Sequence, residues 1–164
     1  MKQALRTWII AMFIITILAG CTSSSMTATD LYSTLHGNLT QEDQTRLESL
    51  LSHVQKFVQL NKELHMLLDK MKNNDELESA IETMEIAKQE ALYIFNLIEL
   101  DTNPEDKTLK KLKENIQGSI EKYMGGMNAQ LEGITTGDAK KTEEGYKETQ
   151  KIYKEMSDFL SKVK

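Results

Sequence analysis

Between Thr40 and Met71 the apolar positions recur at alternating intervals of three and four: Leu47, Leu50, Val54, Phe57, Asn61, Leu64, Leu68 and Met71. No β-strand uses that spacing, because strand side chains alternate with a period of two. The mean step is 3.5 residues, the repeat of a helix that wraps left-handedly on its neighbours. Thr40 precedes Gln41, Glu42 and Asp43. A hydroxyl cap followed by acidic residues suits the positive end of a helix dipole.

The same period continues through the chain. A second helix from about Glu76 to Leu100 carries Leu77, Ala80, Ile81, Met84, Ala87, Ala91, Phe95 and Ile98. Asn73, Asn74 and Asp75 should end the first long helix and cap the second. A third helix carries Leu109, Leu112, Ile116, Ile120, Tyr123, Met127, Leu131 and Ile134. Its start is predicted at Asn103 as N-cap with Pro104 as first helical residue, where a missing N–H costs nothing. Thr135 to Asp138 make the last turn. The fourth helix carries Tyr146, Ile152, Tyr153, Met156, Phe159, Leu160 and Val163. A shorter piece, Asp30 to His36, sets Leu31, Tyr32 and Leu35 on one side before the Gly37-Asn38 break.

Four amphipathic helices joined by short connections predict an all-α fold, an elongated antiparallel up-down four-helix bundle. The alternative is a three-helix bundle with a loosely docked fourth helix. Helices of about 25 to 32 residues would be roughly 38 to 48 Å long at 1.5 Å per residue.

The N-terminus has a different logic. Lys2 and Arg6 precede an apolar run, Trp8 to Leu18, and then Leu18-Ala19-Gly20-Cys21. The run is too short for the roughly 18 residues that span a bilayer, and its order matches a secretory signal. Cys21 is the only cysteine among 164 residues, which excludes an internal disulfide. Leu18-Ala19-Gly20-Cys21 resembles the lipobox of bacterial lipoproteins. That resemblance implies a diacylglyceryl group on the Cys21 sulfur and cleavage between Gly20 and Cys21, with palmitate-type acyl chains holding the mature chain on the membrane. Residues 1–20 would be the signal peptide. Residues 21–39 would be the lipidated cysteine, a flexible tether (TSSSMTAT, 22–29) and the short helical piece. The bundle would occupy 40–164. The helical part, including LEGITTGDAKKTEEGYKE (Leu131 to Glu148), is similar in general look to small helical lipoproteins of Gram-positive bacteria, without naming a function.

The whole chain carries a formal charge of −5. Removing Lys2 and Arg6 with the signal makes it 18 − 25 = −7. No basic face is concentrated enough for nucleic acid, and no nucleic-acid partner is expected. Residues 75–101 hold eight acids (Asp75, Glu76, Glu78, Glu82, Glu85, Glu90, Glu99, Asp101) against Lys88. Such a face either pairs with neighbouring lysines or recruits a basic partner and keeps its side off an anionic membrane.

Catalytic signatures are lacking. His36, His53 and His65 have no helical metal-pair spacing, and no Glu-x-x-His pair occurs. Neither cofactor nor metal is expected beyond the lipid on Cys21, and Met124 with Met127 is a thin copper motif beside their use as core fillers. Asn61, polar in an apolar stripe, and His65, one turn on and four residues before Asp69, are the candidate ligand or register site. Gly118, Gly125, Gly126 and Gly133 are predicted on the side of the third helix away from its apolar stripe. That side is either bare, or a smooth face approached by Asp30–His36 or a partner. The expectation is a non-catalytic, membrane-anchored extracytoplasmic lipoprotein, at the outer face of the cytoplasmic membrane (or the outer membrane of a diderm host). There it would act as a protein-interaction module on an envelope protein. The alternative is a small-ligand or envelope-polymer binder with an interhelical site.

Overall fold

The structure, a computed structural model, describes residues 26–35, 39–71 and 76–163. Every regular element among them is helical: α1 Ala28–Thr34, α2 Gln41–Met71, α3 Leu77–Asp101, α4 Lys107–Thr136 and α5 Ala139–Lys162. They pack as a helical bundle around one core, which agrees with the predicted class.

Local chemistry explains the boundaries. Thr27 and Asp30 form a capping box at the start of α1, with each side chain taking the other's backbone N–H. The tether predicted over 22–29 therefore ends sooner, because its last residues are already in a capped helix. Thr40 caps α2 as predicted, its hydroxyl accepting the Asp43 N–H at 3.1 Å. Residues 72–75, with the predicted Asn73-Asn74-Asp75 cap, lie outside the described residues. Glu76 holds the N-cap position of α3 without a side-chain hydrogen bond.

The predicted start of α4 at Asn103 and Pro104 is corrected to Lys107. Asp106 is the cap, its carboxylate accepting the N–H groups of Thr108 at 2.8 Å and Leu109 at 2.9 Å. The residues before it stay out of the helix because Asp43, from α2, takes the N–H groups of Glu105 at 3.0 Å and Asp106 at 3.2 Å. Asp43 is 3% exposed. A residue read as a dipole partner of its own helix is thus a clasp across the bundle. Between α4 and α5 the link is two residues. Gly137 adopts φ 72°, and Asp138 returns its N–H to the Gly133 carbonyl at 2.8 Å while capping Lys141 at 3.0 Å.

Neighbouring long helices run in opposite directions. His53 meets Asp101 at one end of the α2–α3 pair, and Met71 meets Thr83 at the other. Lys113 on α4 pairs with Glu99 on α3 at 2.9 Å. Gln130 on α4 donates to Thr149 on α5 at 3.0 Å. Phe57 and Tyr123, rings edge to face at 5.0 Å, join α2 to α4 through the core. His65 joins α2 to α5 through Gln150. α1 packs on α4 and α5, with Tyr32 edge-on to Phe159 at 6.0 Å. α3 touches α2 and α4 but makes no contact with α5 among the described residues.

The predicted α4 stripe is buried from Leu109 to Leu131, with Ile134 half-buried. Two stripe members elsewhere are corrected. Leu77, first in α3, is 59% exposed beside an open recess lined also by Leu68, Met71, Ala80 and Ile134. Tyr146 is 50% exposed, because the buried position in that turn of α5 belongs to Gly145. Ile94, outside the predicted α3 stripe, is buried.

Candidate functional site

Asn61 is 1% exposed, and its Nδ2 donates to the Phe57 carbonyl of its own helix at 2.9 Å. The amide is therefore satisfied within α2 rather than by a second helix. A buried amide sharing an already bonded carbonyl adds little to stability. Asn61→Leu is expected to raise stability by about 1 kcal/mol, by adding apolar burial at a stripe position. Equilibrium urea unfolding checks this.

His65, one turn on, faces a different helix. Its Nε2 lies 2.6 Å from Gln150 Nε2, and its ring is tilted against Tyr153 at 5.8 Å. Burial holds the imidazole below its ordinary pKa, against the pull of Asp69. Asn61 and His65 therefore make separate contacts, one within α2 and one toward α5. His53, one of the buried polar residues, shares its Nε2 with Asp101 at 3.1 Å, while its Nδ1 has no partner among the described residues. His36 lies outside the described residues. Among those described, no three His, Cys, Asp or Glu side chains gather where a metal ion would fit.

Met127 is 1% exposed, in the core, with its sulfur taking a weak contact from Gln130 Nε2 at 3.8 Å. Met124 packs half-buried against the same core.

The four glycines of α4 divide into two pairs. A Cβ at Gly118 or Gly125 would meet nothing within 4 Å. One at Gly126 would lie 3.0 Å from the Gly145 carbonyl, and one at Gly133 would lie 2.5 Å from the Thr142 amide nitrogen. Of the two readings of these glycines, the bare face holds at Gly118 and Gly125, and the smooth face approached by another backbone holds at Gly126 and Gly133. The close neighbour is α5 of this same chain, not Asp30–His36 or a partner. Gly145, unremarked in the sequence, completes the crossing: a Cβ there would lie 2.5 Å from the Gly126 carbonyl. Its burial facing Gly126 was invisible to a search for large apolar residues.

α3 is the most unbalanced helix. It holds Glu78, Glu82, Glu85, Glu90, Glu99 and Asp101 against Lys88, or 1 − 6 = −5. Glu85 pairs with Lys88, Glu99 with Lys113, and Asp101 with His53. Glu78, Glu82 and Glu90 have no partner among the described residues. Lysine pairing thus covers only part of the acidic face. The helix also exposes large apolar side chains: Ile86 at 58%, Tyr93 at 58% and Leu100 at 78%. Of nine exposed large apolar residues among those described, seven (Met66, Leu67, Leu77, Ile86, Leu92, Tyr93, Leu100) belong to α2 and α3. The opposite side differs. Between α1, α4 and α5 lies a recess of about 430 Å³ whose walls include Lys122, Lys151 and Lys162 beside Glu155 and Asp158.

Gly20, Cys21 and the rest of the lipobox lie outside the described residues. No described helix is long and apolar enough to cross a membrane. Comparison with protein-family models, curated proteins and solved structures finds no match to this chain.

Proposed function

We propose that this chain is exported, lipidated on Cys21 and held at the outer face of the cytoplasmic membrane, where its helices form a non-catalytic protein-interaction module. Its architecture is an antiparallel up-down four-helix bundle formed by α2 to α5, with α1 as an added brace. The alternating directions of the paired helices and the α2–α5 contact at His65 and Gln150 support that arrangement over three helices with a loose fourth.

The observation that carries the interaction role is the clustering of exposed apolar residues on α2 and α3. Soluble monomers scatter such residues singly, and contiguous apolar surface marks a docking site. The lipid anchor rests on Leu18-Ala19-Gly20-Cys21. The docking of α1 supports one orientation for such an anchor. Asn115 on α4 donates to the Met26 carbonyl at 3.4 Å, so the chain leaves the bundle on its α4–α5 side. Residues 22–26 reach at most about 17 Å. The lysine-bearing side would then rest toward the membrane, and acidic α3 toward a partner.

A second reading, capture of a small ligand or envelope polymer, has in its favour the recess beneath α1, where three lysines stand beside Glu155 and Asp158.

Cys21→Ser tests the anchor. Cell fractionation with intact mass measurement is expected to find the variant unprocessed at Gly20–Cys21, without the acyl mass and lost from the normal lipid-anchored pool. Unchanged processing and unchanged membrane retention would overturn the anchor.

A further inference from the structure

Of the five exposed large apolar residues described on α3, three share one line, while Leu77 and Leu92 lie off it. Ile86, Tyr93 and Leu100 are seven apart. Residues seven apart on a helix stay within about 20° of one line. α2 carries a matching pair, Leu60, half-buried, and Leu67, 43% exposed, also seven apart and continuing the line of His53. The α2–α3 contacts fix the register. His53 meets Asp101 and Met71 meets Thr83, so opposed positions sum to 53 + 101 = 71 + 83 = 154. That register sets Leu67 at the level of Ile86 and Leu60 at the level of Tyr93. Two heptad lines thus border one seam, as in the groove that two helices of a coiled coil offer to a third.

We infer that the α2–α3 seam is the docking groove of the interaction module, and that its occupant is a basic amphipathic helix of a partner protein. This rests on the interaction reading above and names the partner's class. Apolar anchors at heptad spacing match a helix laid in a groove. Charge selects its sign. Glu78 and Glu82 sit at the Ile86 end of the stripe, both exposed and without a partner among the described residues, on a helix of charge −5. A second copy docking seam to seam would bring two −5 helices together, which like-charge repulsion opposes. An anionic membrane is opposed for the same reason.

The test uses the purified chain from Cys21 onward and a dye-labelled 21-residue peptide of leucine and lysine in heptad order, read by fluorescence anisotropy. Binding is expected to weaken as salt rises. It should fall about tenfold or more in Ile86→Ser/Tyr93→Ser/Leu100→Ser, because central apolar anchors dominate such interfaces. Glu78→Gln/Glu82→Gln should weaken it less, chiefly at low salt. A leucine–glutamate peptide of the same pattern should not bind. All substituted residues are exposed, and unchanged circular dichroism and melting confirm the fold. Equal affinity in the triple serine variant overturns the seam, and equal binding of the acidic peptide overturns the charge assignment. Two further results would reassign the groove: self-association in sedimentation, or binding to vesicles of anionic phospholipid, if either is lost in that variant. Because no lipid anchor is present in this assay, failure here leaves the Cys21→Ser result standing, and the reverse.

Discussion

Replacing Gly145 by alanine is expected to destabilise the protein by about 3 kcal/mol, the upper range for forcing a methyl into a packed contact. The added Cβ would stand 2.5 Å from the Gly126 carbonyl oxygen and 2.7 Å from the Gln130 amide nitrogen. Both are backbone atoms of α4, so no side chain can turn aside and α5 must move. Gly133→Ala is expected to cost a similar amount, since the Thr142 nitrogen and the Asp138 carbonyl lie at 2.5 and 2.8 Å. Gly126→Ala should cost less, its nearest contacts lying at 3.0 Å. Gly118→Ala and Gly125→Ala should do the opposite and stabilise by about 1 kcal/mol each, because alanine is the better helix former where nothing is met. Urea unfolding of the five variants checks the signs. Gly145→Ala within about 0.5 kcal/mol of the parent, the ordinary range for surface changes, would contradict the close crossing.

Asp43→Ala is expected to cost about 3 kcal/mol, because it strips a buried carboxylate from the Glu105 and Asp106 N–H groups and leaves Arg46 without its buried acid. Burial pushes the Asp43 carboxyl up, but the Glu105 N–H, the Arg46 guanidinium and the Asp106 N–H outweigh it and hold it below the usual range. The sign follows from linkage. A carboxyl with a lowered pKa in the folded state adds stability that is complete above its unfolded value, here 3.8, and is lost as pH falls through the folded one. The parent should therefore lose more stability than Asp43→Asn as pH drops below about 4. Parallel acid slopes for the two proteins would contradict the clasp. The α4 start should also loosen in the alanine variant, visible as faster hydrogen exchange at Thr108 and Leu109.

The long helices were legible because apolar spacing is a property of one chain segment. Leu50, Val54 and Phe57 announce their face without any knowledge of the neighbour. The Thr40 cap was legible for the same reason, since donor and acceptor lie three residues apart. What stayed hidden depends on distant partners. Asp43 is an ordinary first-turn acid until the 102–106 segment is seen to end on it. Gly133 and Gly125 look alike in sequence, and only the position of α5 separates them. Gly145 carried one usable signal, a glycine inside an otherwise strong helix pattern at TEEGYKE. Of the candidate site, the negative charge of α3 was plain. Its apolar seam was not, because Ile86, Tyr93 and Leu100 join Leu60 and Leu67 only through the register that His53 and Met71 set.

A partner helix docked on the proposed seam would account for large apolar side chains on α3 beside acids that have no partner among the described residues. Neither feature serves the core, and each exposed apolar residue raises the risk of aggregation. A docked helix would offset that cost.

The most direct measurement is site-specific photo-crosslinking in living cells that make the lipidated protein, with the reactive group at Tyr93 or, as control, at Lys140, whose side chain is 85% exposed on α5. The expected result is a protein adduct at position 93, largely missing at 140, whose crosslinked peptide is helical in pattern and rich in lysine and arginine. It should vanish in Ile86→Ser/Leu100→Ser. Equal adducts at both positions, or no protein adduct at position 93, would contradict an interaction module that works through this face.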